Sequence, residues 1–396
     1  MELANRLNRI TEPQTIKMAK LGRELRARGI NIVDLSLGEP DFATPKHICD
    51  AAVTAMAEGF TKYPPVAGYP DLLKAISDKL KRDNHLDYST EEIIVSTGAK
   101  QSLANAVLSI VNPGDEVIIP TPYWVTYGAQ VMLAEGEVKF IHCDIDSDYK
   151  LTPEKLEAAI TPKTKLFMYS SPCNPTGSVY SKKELQGLAE VFKKYPNIFI
   201  VSDEIYEYIN YVGNHESIAQ FPELRDRVIV VNGMSKGFAM TGWRLGYMAA
   251  PKVITRACEK LQGQVTSGAN SIAQRAAIAA LTGSLDDTHK MKEAFRQRRD
   301  FIIPALREMK GVKVNVPDGA FYAFPDISSF FGKTDGTTTI KNDQDMAMYL
   351  LHEGHISTVA GSAFNDSNCI RISFANSMDN IKEAMERMCK TLGKLK

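Results

Sequence analysis

Between about residues 90 and 250 the chain repeats one rhythm, a short run of aliphatic and β-branched residues followed by a stretch with helical spacing. The runs are EIIVS near 92, DEVIIP near 115, KLFMYS near 165, NIFIVS near 197 and RVIVVN near 227. Strands that alternate with helices are joined by crossovers, so this rhythm calls for a mostly parallel sheet flanked by helices. Two of the intervening stretches read clearly as helices: KQSLANAVLSI, and SKKELQGLAEVFKK, where Ser181 and Glu184 form a capping-box pattern.

After about residue 285 the pattern changes. A long charged helix (DTHKMKEAFRQRRDFIIPALREMK) is followed by strands around GAFYAFP and CIRISFA and by an amphipathic helix from Met378. That succession reads as a smaller α+β domain. The first 45 residues carry one helix and an extended NIVDLSLGEPDF run, expected to pack with the C-terminal part. The expected organisation is an α/β fold with a large domain over 46–285 and a small domain made of 1–45 and 286–396.

Composition excludes more than it suggests. Lys plus Arg and Asp plus Glu each number 47, so no overall charge bias draws the chain to nucleic acid or to a membrane. The N-terminal stretch lacks a signal peptide's apolar core, and nothing approaches the roughly 20 apolar residues of a span, so a soluble cytoplasmic protein is expected. The six cysteines show no CxxC pair and no ligand spacing, which fits reduced thiols and no metal site.

In open α/β sheets ligands bind beyond the carboxyl ends of the strands. Four of the five strand ends carry reactive or turn-forming residues: Thr97-Gly98-Ala99-Lys100, Ser171-Pro172-Cys173-Asn174-Pro175-Thr176-Gly177, Asp203-Glu204-Ile205-Tyr206 and Gly233-Met234-Ser235-Lys236. Singly, each is an ordinary turn, a helix cap or a surface charge. Together they gather an amine, a carboxylate, a phenol and an amide around a helix N-terminus that can hold phosphate, the set a pyridoxal cofactor needs. Lys236 can form a Schiff base with an aldehyde and then shuttle a proton, and Asp203 can keep a pyridine nitrogen protonated. Arg244, in Gly242-Trp243-Arg244-Leu245-Gly246, can add a forked phosphate contact. Arg371, in Cys369-Ile370-Arg371-Ile372-Ser373, must point away from its apolar neighbours on a strand, as a salt-bridge partner or a carboxylate clamp.

With these residues in place the chain resembles the class I aspartate aminotransferases of pyridoxal-phosphate fold type I, in their bacterial branch. The resemblance runs from Gly38-Glu39-Pro40-Asp41-Phe42 through Lys62-Tyr63, Pro122-Tyr123-Trp124, Asn174-Pro175-Thr176-Gly177, Asp203-Glu204-Ile205-Tyr206 and Ser235-Lys236 to Arg371. It implies pyridoxal 5'-phosphate as cofactor and Lys236 as its Schiff-base lysine, with Asp203 on the pyridine nitrogen and Asn174 and Tyr206 on the phenolic oxygen. Trp124 would stack on the ring, and Ala99, Lys100, Ser235 and Arg244 would cradle the phosphate. Gly38 and Arg371 would receive the substrate α-carboxylate, beside Trp124 and Asn174. Tyr63 would reach the neighbouring subunit's phosphate, which implies a homodimer with shared active sites.

The implied reaction is ping-pong transamination from L-aspartate to 2-oxoglutarate. An alanine or aromatic aminotransferase or a carbon–sulfur lyase would use the same groups. A pyridoxal-sensing regulator would need a DNA-binding domain for which these 396 residues leave no room. Two departures stand out. Gly233 replaces a phosphate-binding serine, so one hydroxyl is missing from the cradle, and Thr11-Glu12-Pro13 replaces a lysine found near residue 12 in prephenate-accepting relatives, which argues against prephenate. Thr15 and Lys17 are candidates for holding the distal carboxylate.

Overall fold

The computed structural model describes residues 4–12 and 14–396. The extended N-terminal run contributes β1 (Val33–Asp34). The large sheet holds β2 (Ile93–Ser96), β3 (Glu116–Thr121), β4 (Glu137–His142), β5 (Thr164–Ser170), β6 (Phe199–Asp203), β7 (Val228–Gly233) and β8 (Gly246–Ala249). Its order is β2-β8-β7-β6-β5-β3-β4, parallel throughout except β8, which runs against both neighbours.

Successive residues of these strands enter different cores, as the two-residue period of a strand requires. Ile93, Val95, Phe167, Ile200, Val228 and Val230 face one layer, packed by the helices Pro70–Asn84, Lys182–Lys194 and Ser271–Thr282. Ile94, Leu166, Met168, Val201, Ile229 and Val231 face the other, covered by Ala99–Ile110 and Lys252–Val265. Because both faces are covered, the strands read as unbroken apolar runs.

The rest of the core belongs to the C-terminal part. There β9 (Tyr322–Ala323), β11 (Val359–Ala360) and β12 (Ile370–Ser373) form an antiparallel sheet in the order β11-β12-β9, and β10 (Ile356–Ser357) pairs in parallel with β1. The helix Asp286–Glu308 and the terminal helix Met378–Leu392 share a single apolar cluster with Val33, Leu35, Ile370 and Ile372. Tyr206 and Ile209, just beyond β6, enter this cluster, so the segment after β6 links the two parts.

Two strands of the large sheet, and the two-residue strands β10 and β11 of the C-terminal part, are absent from the sequence reading. β4 is a partly exposed edge strand with mixed composition, and the short β8 follows a turn instead of a helix. Among the described residues no helix is long and apolar enough to cross a membrane.

Candidate active site

The carboxyl ends of β2, β5, β6 and β7 converge on a cavity of about 570 Å³. Every site residue expected from the sequence lines it, Tyr63 excepted: Gly38, Ala99, Lys100, Trp124, Asn174, Asp203, Tyr206, Ser235, Lys236, Arg244 and Arg371. Tyr63 is 93% exposed and stands outside the cavity of its own chain. Thr15 reaches the lining and Lys17 does not. Pro13 of the Thr11-Glu12-Pro13 stretch lies outside the described residues, and Glu12 is exposed.

Asp203, the last residue of β6, is buried at the cavity wall. Burial raises its pKa to about 6, opposed by the Tyr127 hydroxyl, which donates to Oδ2 at 2.6 Å, and by the Ile205 backbone N–H. Lys236 follows the β7 strand and donates to the carbonyl of Gly38. Burial lowers its pKa to about 8, while Glu39 pulls the other way. A free amine near neutral pH is thus within reach, as a proton-transferring lysine requires.

The helix Ala99–Ile110 opens at Gly98 with no side-chain cap, so its first N–H groups stay available to an anion. Arg244 lies against Gly98, whose missing side chain makes room for the guanidinium. Lys100 sits 5.0 Å from the Trp124 ring centroid, and burial lowers its pKa. Gly233 has a structural reason: a Cβ there would stand 2.8 Å from the Gly246 Cα and 2.9 Å from the Leu245 carbonyl, so the β7–β8 pairing admits no serine.

On the opposite wall Arg371 is 2% exposed, with Ile370 and Ile372 turned into the core behind it. Its Nη1 donates to Asn174 Oδ1 at 3.0 Å and its Nη2 to the Ser36 carbonyl at 2.6 Å. Its Cζ lies 4.6 Å from the Tyr322 ring centroid. No carboxylate pairs with it among the described residues, and Nε has no partner. A buried guanidinium left without an anion is costly unless a ligand supplies one. Charge over the whole cavity agrees: Lys100, Lys236, Arg244 and Arg371 face only Asp203 and Glu39.

Sequence reasoning missed two phenols. Tyr127 holds Asp203, and Tyr322 shares a 2.7 Å hydroxyl contact with Tyr206. Burial and the Tyr322 neighbour raise the Tyr206 pKa well above its ordinary value. Both missed tyrosines sit among apolar residues and read as core. The available signal was that a buried tyrosine hydroxyl needs a partner.

Known proteins agree with this geometry. A family model for aminotransferase class I and II matches residues 30–388. The chain is 45% identical to an aspartate/prephenate aminotransferase of Nitrosomonas europaea, over 99% of this chain and all of that one. It is 44% identical to a bifunctional aspartate aminotransferase and glutamate/aspartate-prephenate aminotransferase of Petunia hybrida, over all of this chain and 84% of the other. The crystal structure of the aspartate aminotransferase from Rhizobium meliloti superposes with a TM-score of 0.97 at 42% identity, covering 100% of both chains.

Proposed function

The chain belongs to the class I and II aminotransferases, and we propose that it transfers the amino group of L-aspartate to 2-oxoglutarate with pyridoxal 5'-phosphate as cofactor, giving oxaloacetate and L-glutamate. The observation that carries this reading is the unpaired buried guanidinium of Arg371 in one cavity with the amine of Lys236 and the carboxylate of Asp203.

The cavity fits the cofactor. A buried carboxylate at Asp203 suits a protonated pyridine nitrogen, and the uncapped helix at Ala99 and Lys100, with Ser235 and Arg244 beside it, suits a phosphate. Bound there, pyridoxal phosphate would supply a carbonyl for the amino group and an electron sink for the charge left at the substrate Cα. Arg371 would hold the α-carboxylate with two parallel hydrogen bonds, which orients the Cα–H bond toward Lys236. Lys236 would remove that proton and return one, a single base serving both half-reactions of a ping-pong cycle. Asn174 spends its Oδ1 on Arg371, which leaves its amide N–H donors, with the Tyr206 hydroxyl, for the phenolic oxygen.

The enzyme would work in the cytoplasm as a homodimer, with Tyr63, exposed on its own chain, completing the partner's phosphate site. Relatives named for prephenate make that oxo acid a second acceptor to assay, against the expectation from Glu12.

Absorption spectra test the reading. A visible band that bleaches with L-aspartate and returns with 2-oxoglutarate is expected, and Lys236→Ala should abolish turnover. Ammonia and pyruvate formed without an acceptor would replace transamination with carbon–sulfur lyase chemistry. Absence of a band after addition of pyridoxal phosphate would overturn the proposal.

A further inference from the structure

Behind Asp203, on the side of the sheet away from the cavity, lies a second group of ionisable side chains that the reaction above does not use. Glu204 is 1% exposed and accepts from Ser202 Oγ at 2.8 Å, Ser217 Oγ at 2.6 Å and His215 Nε2 at 2.9 Å. Glu207 contacts the ammonium of Lys79, which is fully buried, and accepts from Asn84 Nδ2 at 3.0 Å. Lys79 in turn donates to Asn84 Oδ1 at 2.8 Å. The carboxylates of Glu204 and Glu207 and the imidazole of His215 lie close enough together to resemble a metal cage. The Lys79 ammonium already serves as the cation there, so a divalent ion would add charge to a pocket that has its own.

The charge count is informative. Two carboxylates face one ammonium, and the group is neutral only when His215 is protonated. Burial lowers the proton affinity of His215, but the carboxylates of Glu204 and Glu207 together outweigh it and the net effect is a raised pKa. The other ionisable groups around Glu204 are the phenols of Tyr88, Tyr169 and Tyr247, all with raised pKa and therefore uncharged. Arg82 and Asp83 pair with each other farther along the helix Pro70–Asn84.

The segment after β6 alternates between these two environments. Asp203 and Tyr206 line the cavity, while Glu204 and Glu207 are tied to the 215–217 segment and to the helix Pro70–Asn84. We propose that Glu204 and His215 are positioning residues for transamination: their buried pair fixes the segment that presents Asp203 and Tyr206, and the positive charge of His215 cancels a carboxylate adjacent to Asp203, setting how tightly protons are held at the cofactor. This inference rests on the assignment of Asp203 to the cofactor nitrogen.

The test is the pH midpoint of the visible spectral transition of the holoenzyme, read in the parent, in His215→Asn and in Glu204→Gln/His215→Asn. His215→Asn keeps a hydrogen-bond donor but leaves Glu204 unbalanced. A negative charge stabilises nearby protons, and at an effective dielectric near 20 a charge on the order of 10 Å away is worth about one pH unit. The midpoint should therefore rise by about one unit in His215→Asn and return to the parent value in the double variant, which carries neither charge.

A lowered melting temperature with an unmoved midpoint would reduce the pair to a structural role and overturn the proposal. If His215→Asn does not fold, His215→Gln makes the same charge change with a longer amide donor: a midpoint raised by about one unit supports charge balance and an unmoved one refutes it. Failure of the underlying assignment looks different, because Asp203→Asn would then leave the parent's visible band and its midpoint unchanged.

Discussion

Replacing Tyr127 with Phe removes one hydroxyl and keeps the ring that packs at 5.5 Å against Trp124. The lost contact is a 2.6 Å hydrogen bond to the buried carboxylate of Asp203. A hydrogen bond to a charged group contributes about 1.5–3 kcal/mol, or about one to two pH units of carboxyl pKa. Asp203, held at about 6 in the parent, should then titrate about 1.5 units higher. Only the ionised carboxylate can pair with a protonated pyridine nitrogen, so cofactor affinity follows the ionised fraction. At pH 6.5 that fraction falls from about three quarters to about one tenth, an affinity loss of about eightfold; at pH 7.5 the loss is about twofold, and by pH 8.5 it vanishes. Titrating the apoenzyme with pyridoxal phosphate across this range measures the effect. Taking the ratio of variant to parent cancels the cofactor's own protonation. A ratio that does not change with pH would refute the reasoning, whatever its size.

Three further substitutions probe the other walls of the cavity. Arg371→Lys exchanges a planar fork for a point charge and should lower kcat/KM by about 30- to 1000-fold; the factor should be equal for every amino-acid substrate, since all share the α-carboxylate, and a loss confined to dicarboxylic substrates would contradict the clamp. Lys236→Met should stabilise the apoenzyme by about 1–3 kcal/mol in denaturant unfolding. The parent lysine titrates at about 8 when folded and at 10.5 when unfolded, so its burden is complete below pH 8 and is lost as pH rises to 10.5; a gain that persists above that window would assign the effect to packing. Gly38→Ala places a Cβ 2.6 Å from the Tyr322 hydroxyl and should raise KM for the amino acid several-fold. Adding Tyr322→Phe removes the clash, so the double variant should recover most of that loss in the same assay, and additive losses would show that the Tyr322 hydroxyl is not the obstacle.

The sheet was legible in the sequence because a strand covered on both faces leaves a run of aliphatic residues that little else produces, as in Val228–Gly233. β4 escaped notice because an edge strand carries Glu137, Lys139 and His142 among its apolar residues. At the site, legibility followed chemical type. An amine, a carboxylate or a guanidinium at a strand end is improbable without a task, so Lys236, Asp203 and Arg371 drew attention through their charge. Tyr127 and Tyr322 did not, since a phenol belongs equally well to a core, and only coordinates show whether its hydroxyl meets Asp203 or Tyr206. The same limit hid the group behind the sheet. Glu204 and Glu207 stand within four residues of Asp203 in a stretch that reads as one acidic turn, yet they point away from the cavity and into contact with His215 and Lys79. Sequence spacing records which charges are near one another along the chain. Which of them share a dielectric environment, and therefore which can tune one another, depends on the side of the sheet each side chain takes, and that is settled by contacts such as those of Tyr127 with Asp203 and of the helix Pro70–Asn84 with Glu207.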